Sequence, residues 1–128
     1  MIDHMGIGAG DFEQSRRFYE AALAPLGMSV VMEVTPEESG GYHGIGLGSE
    51  GKPFFWVSNG EQRGAGIHVA FAAATRAAVD AFHAAAMAAG GRDNGAPGLR
   101  PDYHPNYYAA FAFDPDGINV EAVCHAAE

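Results

Sequence analysis

The sequence predicts an α+β fold in which one β-α-β-β-β module occurs twice. Three observations carry this. Strand-like and helix-like hydrophobic periods follow one another in the same order in both halves. An offset of 64 sends His4 to His68, Phe18 to Phe82, Leu23 to Met87, Gly27 to Gly91 and Leu47 to Phe111, the mark of an internal duplication. The chain of 128 residues suffices for one hydrophobic core and is too short for two independent ones.

The elements follow in order. Ile2–Ala9 reads as a strand, and Asp11 is a good helix cap whose partner Gln14 stands three residues on. Phe12, Phe18, Tyr19, Ala22 and Leu23 recur at helical spacing until Pro25 and Gly27 end the helix. Met28–Val34 is β-branched and apolar, hence a strand, and Pro36–Gly41 reads as a turn or loop. His43–Leu47 and Phe54–Ser58 are two further short strands. Residues 60–64 form a polar, glycine-bearing linker between a first module at 1–60 and a second at 65–125. In the second module Ile67–Ala72 is a strand, and Thr75 caps an alanine-rich helix that runs to Gly90-Gly91. A weak strand near Arg92 precedes a long Gly/Pro loop from Asn94 to Asn106. Tyr107–Phe113 and Ile118–Cys124 are strands joined by the turn Asp114-Pro115-Asp116-Gly117.

Composition narrows the function. Seven Lys+Arg against sixteen Asp+Glu give a net charge of −9, which repels phosphate backbones and anionic lipid and argues against nucleic-acid and membrane-surface partners. Charged residues make up 18 % and apolar ones 48 %, which excludes a disordered chain. No apolar run approaches the roughly 20 residues of a bilayer span, and Met1-Ile2-Asp3-His4 lacks the basic and apolar regions of a secretory leader. Cys124 is the only cysteine, so a reducing, cytoplasmic setting is expected, with Cys124 a buried, inert thiol.

Parity along the strands then gathers the polar residues. Met5, Ile7 and Ala9 share one face, and His4, Gly6 and Gly8 the other. In the equivalent strand Ile67, Val69 and Phe71 oppose Gly66, His68, Ala70 and Ala72. Glu121 points away from the apolar set Ile118, Val120, Ala122 and Cys124. His4, His68 and Glu121 are therefore expected on the faces that no helix covers. A divalent cation would satisfy all three, and two His with one carboxylate suit Fe, Mn, Ni or Zn.

The run His4-Met-Gly-Ile-Gly-Ala-Gly-Asp11 with Ser15-Arg-Arg-Phe18-Tyr19, the run His68-Val-Ala-Phe71, and Asp114-Pro-Asp-Gly117-Ile-Asn-Val-Glu121 together resemble the vicinal oxygen chelate superfamily. That group holds glyoxalase I, fosfomycin- and bleomycin-resistance proteins and extradiol dioxygenases. The resemblance spans 1–125 and implies two modules curved into a mixed sheet around a cup, with helices outside. It implies one divalent metal on His4, His68 and Glu121 that chelates vicinal oxygens of a small substrate, with lyase, thiol-transferase or dioxygenase chemistry and Glu121 as a catalytic group. It also implies a homodimer across which the cup is completed.

Two departures stand out. Glyoxalase I-like members carry a further Glu on the last strand of the first half, whereas this chain reads Phe54-Phe55-Trp56-Val57-Ser58, with Val57 opposite Glu121 at the repeat offset. Gly117-Ile118-Asn119 replaces the usual Asn directly after Gly.

Substrate contacts are expected from Tyr108, placed by parity on the open face with Ala110 and Ala112, and then from His104 and Arg100 in the preceding loop. Phe111, Phe113 and Tyr107 fall by the same parity on the helix side. Trp56 either lines the hollow or packs in the core. The alternative to a metalloenzyme is a metal-free drug-binding module of the bleomycin-resistance type. Such a module traps cationic aromatic compounds between acidic and aromatic groups, for which a charge of −9 with Trp56 and Tyr108 is suited.

Overall fold

The computed structural model describes residues 2–60 and 67–128, so most of the linker expected at 60–64 lies outside the described residues. The first module comprises β1 (Met5–Gly8), α1 (Phe12–Leu23), β2 (Ser29–Val34), the one-turn helix α2 (Pro36–Ser39), β3 (Gly44–Ser49) and β4 (Lys52–Ser58). The second comprises β5 (His68–Ala72), α3 (Arg76–Ala88), β6 (Arg92–Leu99), β7 (Tyr108–Phe113) and β8 (Asn119–Cys124). Each module forms its own four-stranded mixed sheet, ordered β1-β4-β3-β2 and β5-β8-β7-β6. The equivalent orders confirm the duplicated architecture.

Local chemistry sets the element ends. The Asp11 carboxylate accepts from the Gln14 amide and starts α1, and the Thr75 hydroxyl accepts from the Ala78 amide and starts α3. A 3-10 turn, Ala24–Leu26, ends the first helix at Gly27. Thr35 and Pro36 convert the expected turn at 36–41 into a helical turn, since Thr35 caps it and Pro36 fits its first position. β6 is longer than expected, reaching Leu99 through a segment rich in Gly and Pro. It can do so because it lies at the sheet edge and is bulged between Asp93 and Gly98, where an edge strand tolerates Pro97.

Both sheets bury one face under helices. Ile7, Ala9, Phe55 and Val57 of the first sheet meet Phe18, Tyr19, Ala22 and Leu23 of α1, while Ile118, Val120 and Ala122 meet Val79, Phe82 and Ala86 of α3. Burying each large apolar side chain contributes roughly 1.5–3 kcal/mol. The modules join through α1 against α3 and through an edge-to-face chain of rings, Tyr19–Phe55–Phe71, with centroids 5.1 Å apart at each step. Asp116 adds a polar tie, its carboxylate accepting from the Gly10 amide at 3.2 Å and the Ser15 hydroxyl at 3.4 Å.

Parity placed β7 the wrong way round. Ala110 and Ala112 are fully buried in the core, and Tyr108 turns to α3, where its hydroxyl donates to Asp80 at 2.6 Å and Arg76 stacks on its ring. Phe111 pairs with Glu121 and faces the open side. Small residues here mark close helix packing, not a hollow.

Candidate functional site

β5 and β8 run parallel with Ala70 beside Glu121, and β7 places Phe111 on the other side of Glu121. Glu121 is only 2 % exposed although it lies on the face opposite the helices. Tyr107, at the entrance to β7, donates to its Oε2 at 2.5 Å. His68 Nε2 lies 3.0 Å from its Oε1, while His68 Nδ1 lies 3.0 Å from the Asn119 carbonyl oxygen. A carbonyl only accepts, so Nδ1 of His68 carries a proton. His68 also stacks on Phe111, with centroids 6.4 Å apart, and is half-exposed. Burial, followed by the neighbouring Glu121 carboxylate, pushes the Tyr107 hydroxyl up to about 12.

Around this centre lie the loop residues. Arg100 donates back to the Ala96 carbonyl at 2.8 Å and sits 5.5 Å above the Phe111 ring. His104 Nε2 meets His125 Nδ1 at 2.7 Å, and Tyr107 packs edge-on against both rings. His104 and Arg100 thus stand near the Glu121 cluster, whereas Tyr108 does not share its face. Among the described residues no Lys or Arg forms an ion pair with Glu121.

The first sheet carries an equivalent cluster of different chemistry. β1 and β4 run parallel with Gly6 beside Trp56, and β3 places Gly46 on the other side of Trp56. By strand register Trp56, not Val57, holds in this sheet the place of Glu121. Val57 is fully buried in the core. The same register makes Gly46 the counterpart of Phe111, an offset of 65 in place of the 64 that relates His4 to His68, and this offset also carries Tyr42 to Tyr107 just ahead of those strands. His4, Gly6, Val34, Tyr42 and Trp56 line a hollow of about 360 Å³. A separate hollow of about 500 Å³, lined by Met5, Leu26, Met28, Phe55, Val69 and Phe71 among others, lies between β1 and β5 at the seam of the modules.

The structure overturns the metal site. His4 lies in the first module, its Nδ1 held by Asp3 at 2.8 Å, while His68 and Glu121 pair with each other in the second. Among the described residues no three His, Cys, Asp or Glu side chains converge as a metal would require. A divalent Fe, Mn, Ni or Zn ion on His4, His68 and Glu121 therefore does not fit this arrangement. Metal-dependent lyase, thiol-transferase or dioxygenase catalysis, with Glu121 as its catalytic ligand, falls with it. The physical reason lies in docking. Parity puts the two histidines on equivalent faces of equivalent modules, but the modules meet through their helices, so equivalent faces do not meet each other.

Tyr107, Phe111 and Tyr42 were missed from the sequence. An offset of 65 pairs Tyr42 with Tyr107, a signal that was present but masked by the offset of 64 in the first strand and helix. Elsewhere, His43 bonds Glu33 at 2.7 Å and stacks on Phe12, and His83 bonds Asp93 at 2.9 Å. Both are structural pairs. Cys124 is fully buried. No described helix is long and apolar enough to cross a membrane.

The profile of the Glyoxalase/Bleomycin resistance protein/Dioxygenase superfamily matches residues 1–122. No curated protein matches the chain. Among solved structures, a glyoxalase/bleomycin resistance protein from Albidiferax ferrireducens T118 is 28 % identical, with a TM-score of 0.76 over 97 % of this chain and 98 % of its own. A glyoxalase I mutant from Zea mays is 26 % identical with a TM-score of 0.69, covering 95 % of this chain and 46 % of the maize chain. A glyoxylase/bleomycin resistance protein/dioxygenase domain from Frankia sp. EAN1pec, at 15 % identity and a TM-score of 0.71, shares the fold.

Proposed function

Because the chain belongs to the glyoxalase/bleomycin resistance protein/dioxygenase superfamily, we propose that it is a metal-free binding module of the bleomycin-resistance type for a small organic cation. The observation that carries this reading is the Glu121 carboxylate, nearly buried on an open sheet face and held by Tyr107 and His68. Taking a carboxylate out of water costs several kcal/mol unless it is paired. A cationic group of a ligand that displaces the half-exposed His68 ring takes over its place on Oε1 of Glu121. Phe111 offers an aromatic surface beside it, and Arg100 and His104 stand at its rim. A net charge of −9 draws such a ligand in. Tyr108 contributes indirectly, by anchoring β7 to α3.

The working unit in this reading is a single domain whose two modules, 1–60 and 65–125, function in a cytoplasmic homodimer. Supporting a dimer, β1 and β5 are edge strands whose outer sides have no pairing partner among the described residues. Light scattering on the purified protein should then give twice the 13.4 kDa of one chain.

Binding is tested by calorimetric titration with metal-free bleomycin in the presence of a chelator. The expected result is saturable binding that Glu121→Gln weakens by about tenfold or more, or about 1.4 kcal/mol. Absence of binding, or equal affinity for the variant, overturns the reading.

A further inference from the structure

We propose that His104 and His125 form a pH-sensitive latch, which holds the loop at 100–107 shut at neutral pH and releases it in mild acid.

The proton positions follow from the partners. The Asn106 amide donates to Nδ1 of His104 at 3.1 Å, and an amide N–H only donates, so this nitrogen carries no proton. The proton of a neutral His104 ring is therefore on Nε2, which donates to Nδ1 of His125 at 2.7 Å. Nδ1 of His125 is bare in turn, and its ring proton stands on Nε2. The contact thus fits two uncharged rings. An added proton has to land on a nitrogen that is already accepting. At Nδ1 of His104 it opposes the Asn106 N–H, and at Nδ1 of His125 it opposes the N–H of His104. The open loop therefore binds more protons than the shut one, and acid favours it by linkage. Histidine is the side chain whose charge ordinarily changes between about pH 5 and 8.

No neighbour is placed to hold the added charge. Tyr107 lies edge-on to both rings with Tyr103 beyond it, and Glu121 is reached through the Tyr107 hydroxyl. In the same loop Asp102 is exposed, and the Arg100 guanidinium turns to the Ala96 carbonyl. Beside His125, Cys124 is buried and the Glu128 carboxylate accepts from the Arg76 amide. Among the described residues neither imidazole forms an ion pair with a carboxylate.

The latch ties the connection between β6 and β7 to the end of β8. Within the loop the amides of Arg100, Tyr103 and Tyr107 donate to the carbonyls of Tyr107, Arg100 and His104. Tyr107 rests on both imidazoles and gives its hydroxyl to Glu121, so the state of the latch reaches the Glu121 cluster through one side chain. Its consequence for ligand binding rests on the Glu121 reading, whereas the latch itself does not.

Solvent-exchange NMR on the full chain, at about pH 7.5 and about pH 5.5, reads the latch through the protection factors of the Arg100, Tyr103 and Tyr107 amides. The expected result is a loss of about fivefold at the lower pH, the size of one hydrogen bond, with the β8 amides unchanged. His125→Asn keeps a neutral acceptor at the position of Nδ1 and should lose no more than about twofold. His125→Ala removes the acceptor and should be poorly protected at both pH values. Protection that does not change with pH in the parent, or that falls as far in His125→Asn, overturns the proposal. Under the Glu121 reading, affinity for metal-free bleomycin should drop in acid more steeply for the parent than for His125→Asn. Bleomycin that binds neither protein overturns the Glu121 reading, while the exchange rates still decide on the latch.

Discussion

The Tyr19 hydroxyl donates to the Asp114 carboxylate at 2.8 Å, joining the first module's helix to the turn before β8 across 95 positions of sequence. The other Asp114 oxygen accepts from the amides of Asp116 and Ile118, both at 2.8 Å, and so shapes the turn itself. Burial raises the Asp114 carboxyl above its usual 3.8 despite these donors. Tyr19→Phe should cost about 1 kcal/mol in denaturant unfolding, the net value of one hydrogen bond. Asp114→Ala should cost about 2–4 kcal/mol, because it leaves the buried hydroxyl and two amides without an acceptor.

Asp114 also gives a pH dependence of definite sign. Between the usual 3.8 and the raised value, the folded protein keeps a proton that the unfolded chain has lost. Its contribution to stability therefore falls as pH rises through that window and levels off above it. Asp114→Asn removes this slope. The unfolding free energy of the parent relative to the variant should fall as pH rises through that window and then stay constant.

The inverted β7 predicts intolerance of larger residues on its alanine face. Ala110→Leu or Ala112→Leu should destabilise by about 1–3 kcal/mol, because α3 packs directly on those positions. Melting temperatures of the two variants decide the matter, with no loss expected if the alanines faced a hollow.

Tyr107 supplies a marker for the Glu121 cluster. Its hydroxyl, pushed up to about 12 by burial and then by Glu121, keeps its proton while the unfolded chain loses one near 10. Stability assigned to it should therefore decline as pH climbs through that interval. Tyr107→Phe abolishes this decline, and Glu121→Gln reduces it while leaving the burial part. Ultraviolet absorbance of tyrosinate against pH, compared among the three proteins, reads both effects.

Chelator treatment gives a further test. With His4 engaged by Asp3 and His68 by Glu121, dialysis against a strong chelator should leave the melting temperature unchanged within about 1 °C. A large drop reversed by added metal would contradict the geometry described above.

Much of the fold was legible because its signals are local. Asp11 and Thr75 cap their helices as their spacing predicts, and Asp114-Pro115-Asp116-Gly117 turns the chain into β8. The failures share a different origin. Trp56 was displaced to Val57 by a one-residue change in offset between the early and late strands, and one residue is enough to exchange faces. Ala110 and Ala112 read as an open face in the sequence because residue size alone does not tell an empty face from one filled by an alanine-rich helix. His4, His68 and Glu121 could be placed on faces from parity, but their distance depends on how whole modules dock.

The strand orders also limit lateral growth. The outermost strand opposite β1 is β2, bulged between Val30 and Met32, and the one opposite β5 is β6, bulged and interrupted by Pro97. Each sheet is thus receptive along one rim and blunted along the other. Two such sheets joined rim to rim would leave only blunted strands outside, which bars further growth into a fibre.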